Sequence, residues 1–271
     1  MPSPTDGGGP MAVPVDAGRW VRTFQPRTDT GPRLVCFPHA GGAASFYAPF
    51  AQALSGVAEV GAVQYPGRQE RWSEPAQTAI GPLADRLAAV LADGPGDRPT
   101  AFFGHSMGAI VAFEVTRRLA TAGGAAPVAL FVSSRRAPSA APSTPPSVAV
   151  HRRGDEALIA DIARLGGTDP RLLADPEMRE LILPPTRADY QAIETYACPP
   201  GATVDTPVTA LVGDADPGVT PAEATAWREH TTGRFDLRVF PGGHFYLTDR
   251  WAEVAHAVRA GLEAAAGTTA P

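Results

Sequence analysis

The sequence predicts an α/β fold, a mostly parallel sheet with helices on both faces and an inserted helical lid. Three observations predict it. Short apolar runs bounded by turn residues alternate with amphipathic helical patterns along most of the chain, the order that winds a parallel sheet. The run Ala101–Phe103 and the pattern through Val111, Phe113, Val115 and Leu119 are apolar nearly all round, which marks a central strand and helix buried on both sides. Between Ser134 and Pro200 the rhythm breaks into helical spacing alone, the sign of an insertion.

Taken in order, residues 1–16 are rich in Pro, Gly, Ser and Thr and read as a disordered leader, with Met11 as an alternative start. Trp20–Phe24 alternates as an edge strand, and Arg33–Phe37 is a clearer strand stopped by Pro38. Ala43–Leu54 reads as a helix whose middle Pro49 weakens, and Glu59–Tyr65 as the next strand. Ile80, Leu83, Leu87, Val90 and Leu91 form the apolar stripe of a helix over Thr78–Ala92, which Gly94-Pro95-Gly96 ends. Ala129–Ser133 is a further strand, and Ala137–Ser147 a Pro/Ser linker into the insertion. There Leu158, Ile162 and Leu165, then Tyr190, Ile193 and Ala197, hold helical spacing. Alternation resumes with strand Val208–Val212, a helix near Ala222–His230, strand Phe235–Phe240 and a last helix carrying Trp251, Val254, Val258 and Leu262. The expected division is a core over 17–133 and 201–265, a lid over 134–200 and a flexible tail over 266–271.

Composition narrows the function. A chain of 271 residues with 44% hydrophobic side chains can bury one large core. The net charge is −5, and the 23 cationic side chains are all Arg with no basic block, which argues against a nucleic-acid partner. Asp6 and a Gly run stand where a signal peptide carries basic residues and an apolar core, and no stretch approaches the roughly 18 apolar residues of a membrane span. Cys36 and Cys198 are too few for a disulfide framework, although one bridge stays open. The expectation is a cytoplasmic monomer.

The central run ends in Gly104-His105-Ser106-Met107-Gly108. Gly-x-Ser-x-Gly projects a nucleophile from a sharp strand-to-helix turn that leaves no room for a Cβ at either flank. A serine hydroxyl is a weak nucleophile, so it needs a histidine to take its proton and an acid to orient that histidine. His244 follows strand Phe235–Phe240 through Pro241-Gly242-Gly243, and Asp216 follows strand Val208–Val212 in Gly213-Asp214-Ala215-Asp216-Pro217. The chain order Ser106, Asp216, His244 is that of α/β-hydrolases. Asp214 competes on the same loop, with an Asx-turn cap as its other reading. The backbone N–H of Met107 would be one oxyanion donor. That of Ala40, in His39-Ala40-Gly41-Gly42, would be the second. His39 is expected to hold this loop by hydrogen bonds rather than bind a metal, because no second ligand stands at metal spacing. His105 is read as structural, and His151, His230 and His256 as solvated.

The chain resembles the type II thioesterases of modular polyketide synthase and nonribosomal peptide synthetase systems, in the α/β-hydrolase superfamily. The resemblance rests on Leu34–Gly42, Val63-Gln64-Tyr65-Pro66-Gly67-Arg68, Phe103–Ala109, Gly213–Pro217 and Phe240–Tyr246. It implies a stand-alone hydrolase that releases acyl groups from the phosphopantetheine arm of acyl or peptidyl carrier proteins, clearing stalled or aberrant units, with no cofactor of its own. Arg68, Arg71, Arg135 and Arg136 are candidate contacts to the phosphate or an acidic carrier surface; their other reading is solvated or internally paired arginines. Tyr190, Ile193 and Tyr196 either line an acyl channel or pack the lid onto the body. Two rivals remain at this stage: a general carboxylesterase or lipase with the same triad, and a non-catalytic carrier-binding chaperone.

Overall fold

The computed structural model describes residues 17–25, 31–92, 98–140 and 148–268. The leader, most of the linker, Gly94-Pro95-Gly96 and the last three residues lie outside the described residues.

In chain order the elements are α1 (Ala17–Trp20), β1 (Val21–Thr23), β2 (Arg33–Phe37), α2 (Ala48–Ala53), β3 (Glu59–Val63), α3 (Ile80–Ala92), β4 (Thr100–His105), α4 (Met107–Thr121) and β5 (Leu130–Ser133). The insertion carries α5 (Asp155–Leu165), α6 (Pro170–Ala174) and α7 (Pro176–Glu194). The body resumes with β6 (Val208–Gly213), α8 (Pro221–Thr225), β7 (Phe235–Phe240) and α9 (Trp251–Thr268).

The strands pair in the order β1-β3-β2-β4-β5-β6-β7. β1 runs antiparallel to β3, and the remaining pairs are parallel. Both faces of the sheet are covered, which is why its strands read as continuous apolar runs. Val35, Phe37, Phe102 and Val132 pack with α3 and α4 on one face. Leu34, Cys36, Phe103 and Phe131 pack with α2 and α9 on the other. Cys36 and Cys198 are both free thiols. No helix among the described residues is long and apolar enough to cross a membrane.

Register positions the site. Phe37 pairs with Gly104 and His105 with Ser133, so β2, β4 and β5 end level and deliver Pro38, Ser106 and Ser134 to one edge. Gly213 pairs with Phe240. Ligands of open parallel sheets bind beyond such carboxyl ends.

Several local expectations shift. α1 takes Trp20 out of the edge strand. Pro49 falls in the first turn of α2, after a 3-10 turn over Ala44–Tyr47; it starts a helix there because its missing N–H has no acceptor to lose. α9 continues to Thr268, into the segment read as tail. In the insertion, Asp169-Pro170 and Asp175-Pro176 each open a helix: the carboxylates accept from Arg171 N–H and from the N–H groups of Glu177 and Met178. Val150, Leu158, Ile162, Leu173, Leu183 and Tyr190 form a small separate core there.

Candidate active site

Ser106 sits between β4 and α4 at φ 54° and ψ −118°. A Cβ on Gly104 would lie 2.2 Å from the Gly108 carbonyl oxygen, and one on Gly108 2.0 Å from that of Phe37. Only glycine fits at either flank, and the turn carries Ser106 to the wall of a cavity of about 140 Å³.

Two further strand ends reach the same cavity. A Cβ on Gly213 would lie 2.3 Å from Gly242 O, so the loops after β6 and β7 touch. Asp216 Oδ1 and Oδ2 each lie 3.0 Å from His244 Nδ1, and Gly218 N–H donates to Asp216 Oδ1 at 2.8 Å. The two side chains are 0% and 5% exposed. With Nδ1–H directed at the carboxylate, Nε2 is the basic face of the ring. It is buried and has no hydrogen-bond partner among the described residues. Ser134 Oγ donates to His244 O at 2.9 Å and holds its backbone. Asp214 instead accepts from Gly242 N–H at 2.9 Å, bracing one loop against the other.

His39 to Gly42 is a β-turn closed by Gly42 N–H to His39 O at 2.9 Å. Gly41 has φ +76° while Ala40 does not enter the positive region, which makes it type II. Ala40 and Met107 both line the cavity. Met107 opens α4, where N–H groups lack intrahelical acceptors, and Ala40 N–H has no acceptor among the described residues. The His39 ring does not hold the loop by hydrogen bonds: its Nδ1 is buried without a partner. The ring packs instead, edge-on to Phe46 and Phe245 at 4.7 and 4.8 Å and under Gly42, whose Cβ would lie 2.8 Å from its Cε1.

His105 is fully buried, its Nδ1 3.0 Å from Ser133 Oγ, which in turn meets Tyr246 OH at 2.9 Å. Burial, then the neighbouring His244 and His39, hold its pKa well below the usual histidine value. Burial, then His244 and Arg68, lower that of His39 to about 3. Two of the other histidines are not solvated: His230 is buried and bonded to Ala202 O and Ser139 Oγ, and His151 pairs with Glu194 at 2.6 Å.

The arginines separate. Arg68 does not line the cavity; it is buried in a bidentate pair with Asp189. Arg71 is also buried, bonded to Glu74 and Gln64 O and stacked 4.0 Å from the Trp20 ring. Arg135 and Arg136 line the cavity. Arg136 lies 3.8 Å from Glu223, whereas the Arg135 guanidinium has no carboxylate partner among the described residues. Burial and Arg136 lower the Arg135 pKa to about 10, so it stays cationic at neutral pH. Tyr190 and Ile193 line the cavity, Tyr190 OH donating to Asp161 at 2.8 Å. Tyr196 packs onto the body instead, donating to Glu114 at 2.7 Å.

Sequence reasoning passed over Asp189. Its one signal was its place four residues after the Pro184-Pro185 pair within α7. No group of three or more His, Cys, Asp or Glu among the described residues could hold a metal.

The description "Thioesterase domain" matches residues 32–262. The chain is 47% identical over 242 residues to thioesterase PikA5 of Streptomyces venezuelae, covering 89% of this chain and 85% of that protein. Among solved structures it resembles the type II thioesterase BorB from the borrelidin biosynthetic cluster, with TM-score 0.79, 43% identity and coverage of 90% and 97% of the two chains. It also resembles the type II thioesterase YbtT from the yersiniabactin pathway, with TM-score 0.79, 28% identity and coverage of 91% and 99%. With a serine elbow, a paired Asp and His and a seven-stranded sheet in this register, the chain belongs to the thioesterase family of α/β-hydrolase enzymes.

Proposed function

We propose that the protein is a type II thioesterase that hydrolyses acyl groups from the phosphopantetheine thiol of carrier proteins, clearing stalled or aberrant units during polyketide or nonribosomal peptide assembly. The observation that carries this reading is the buried Asp216–His244 pair opening on the cavity that Ser106 lines, in a chain similar over nearly its whole length to enzymes named for such pathways.

Ser106 Oγ attacks the thioester carbonyl while His244 Nε2 takes its proton. The N–H groups of Ala40 and Met107 receive the oxyanion, each such donor being worth about 3 kcal/mol when preorganised. Collapse expels the thiol, which takes the proton from His244. Water activated by His244 then attacks the acyl-Ser106 ester and releases the acid. Asp216 holds His244 in the right tautomer and stabilises the imidazolium. No step calls for a cofactor. Arg135 and Arg136 donate to the amide carbonyls or phosphate of the arm, and the segment 134–200 acts as the lid that selects the acyl group, through Tyr190 and Ile193.

The test is a panel of acetyl, propionyl, longer acyl and malonyl groups, each presented on a carrier protein and on coenzyme A. Faster turnover on the carrier supports the reading. Equal or greater activity on simple oxygen esters would make the protein a general carboxylesterase. Ser106→Ala should lower deacylation about 10³ to 10⁶-fold; unchanged deacylation would overturn the Ser106 mechanism.

A further inference from the structure

The turn that presents Ala40 is held from the insertion. Gly41 N–H donates to Asp189 Oδ2 at 2.8 Å, so a side chain on α7 fixes the residue after the oxyanion donor. The same carboxylate receives both arms of Arg68, Nη1 to Oδ2 at 2.6 Å and Nη2 to Oδ1 at 2.9 Å. Arg68 Nη1 also donates to Gly42 O at 3.0 Å. The two charged groups thus grip two peptide units of one turn, Ala40–Gly41 and Gly42–Ala43. Their side chains are 6% and 4% exposed. α7 also touches the turn directly, since a Cβ on Gly41 would lie 2.5 Å from Thr186 Oγ1.

A buried ion pair contributes little net stability, because desolvation offsets most of the attraction, but it enforces one geometry through its fixed bidentate fork. It has an electrostatic consequence as well. A lone carboxylate hydrogen-bonded to Gly41 would stand beside the developing oxyanion and oppose it; Arg68 cancels that charge while leaving the acceptor in place.

We propose that Arg68 and Asp189 are positioning residues that make the oxyanion hole complete only when α7 is docked on the body. The Ala40 turn is then shaped by the lid: an undocked α7 releases Gly41 N–H and loosens the donor that the transition state needs, so hydrolytic competence is coupled to closure over the substrate. This rests on the assignment of Ala40 as an oxyanion donor in the proposed thioesterase reaction.

The experiment compares wild type with Asp189→Asn, Arg68→Met and the double variant on an acyl-carrier substrate and on a short p-nitrophenyl ester, whose hydrolysis needs the hole but no carrier. Asp189→Asn should lower kcat about 10 to 100-fold on both with KM within about threefold, less than the roughly 10² to 10³-fold cost of losing an oxyanion donor outright, because the donor is loosened and not removed. Arg68→Met, which leaves the carboxylate uncompensated, should lower kcat further, and the double variant should recover part of that loss. Affinity for an acyl trifluoromethyl ketone, which forms an oxyanion on Ser106, should fall in parallel with kcat. In a Ser106→Ala background, ground-state affinity for the acyl carrier should hold. If Asp189→Asn fails to fold, Arg68→Lys, which keeps the charge but cannot grip both oxygens, takes its place with the same expectations. Retention of kcat within twofold, or a loss of ground-state affinity equal to the loss of ketone affinity, overturns the proposal. Wild type inactive on both substrates would instead overturn the thioesterase reading.

Discussion

Three imidazoles cluster beside Ser106. The ring of His105 lies 5.2 Å from that of His244 and 5.8 Å from that of His39. With the pKa of His39 lowered to about 3 and that of His105 well below normal, both are neutral at neutral pH, so in the proposed mechanism no like charge opposes an imidazolium at His244. The same burial sets a pH dependence of stability. Each ring titrates near 6.5 in the unfolded chain and lower in the folded one, so between those values the unfolded state binds more protons. Stability is therefore fully present above about pH 6.5 and falls as the pH drops below it, for His39 down to about pH 3, by up to about 1.4 kcal/mol per pH unit for each ring. Denaturant midpoints measured from pH 7 to pH 4 should fall, and less steeply in His39→Gln. The two acids of the β6 loop make a separate prediction. Asp216→Asn removes the carboxylate from His244 and should cost kcat about 10³ to 10⁴-fold, while Asp214→Asn loosens one loop contact and should cost less than tenfold. Equal losses would reassign the acid.

At the level of elements, function sits where strand ends touch. Gly108 presses on the end of β2 and Gly213 on the loop after β7; these approaches bring Ser106, Ala40, Asp216 and His244 to one cavity. Gly108→Ala should therefore destabilise the fold and abolish turnover together, which thermal melting and a deacylation assay would show. These glycines were legible because their motifs are local. Arg68 was visible as a residue, yet its partner was not, since Asp189 lies 121 positions away on a helix. The spacing of Tyr190 and Ile193 marked the last turns of α7, but Pro184 and Pro185 interrupt its earlier pattern, and α6 is too short to show one. Tyr190 and Ile193 carry a specificity prediction: alanine at either should change the ratio of rates on long and short acyl carriers more than the rate on acetyl. A uniform fall across the panel would return them to simple packing.

For the whole molecule, the alternation of strand and helix foretold the sheet because each βα unit buries its own stripe, a local rule that long-range pairing then respects. The strand order, with β1 turned antiparallel at the edge, and the docking of the insertion rest on contacts far apart in sequence. Those leave no periodic trace. Ser106 shows what the arrangement costs the fold. A non-glycine residue at φ 54° and ψ −118° holds backbone strain of about 1–3 kcal/mol, which glycine would relieve at an entropic cost of roughly 1 kcal/mol. Ser106→Gly should thus leave the protein inactive yet raise its melting temperature by a few degrees in a thermal scan. The whole side chain, Cβ included, is what glycine removes, so the strained turn gives up stability in order to place the Ser106 hydroxyl at the cavity.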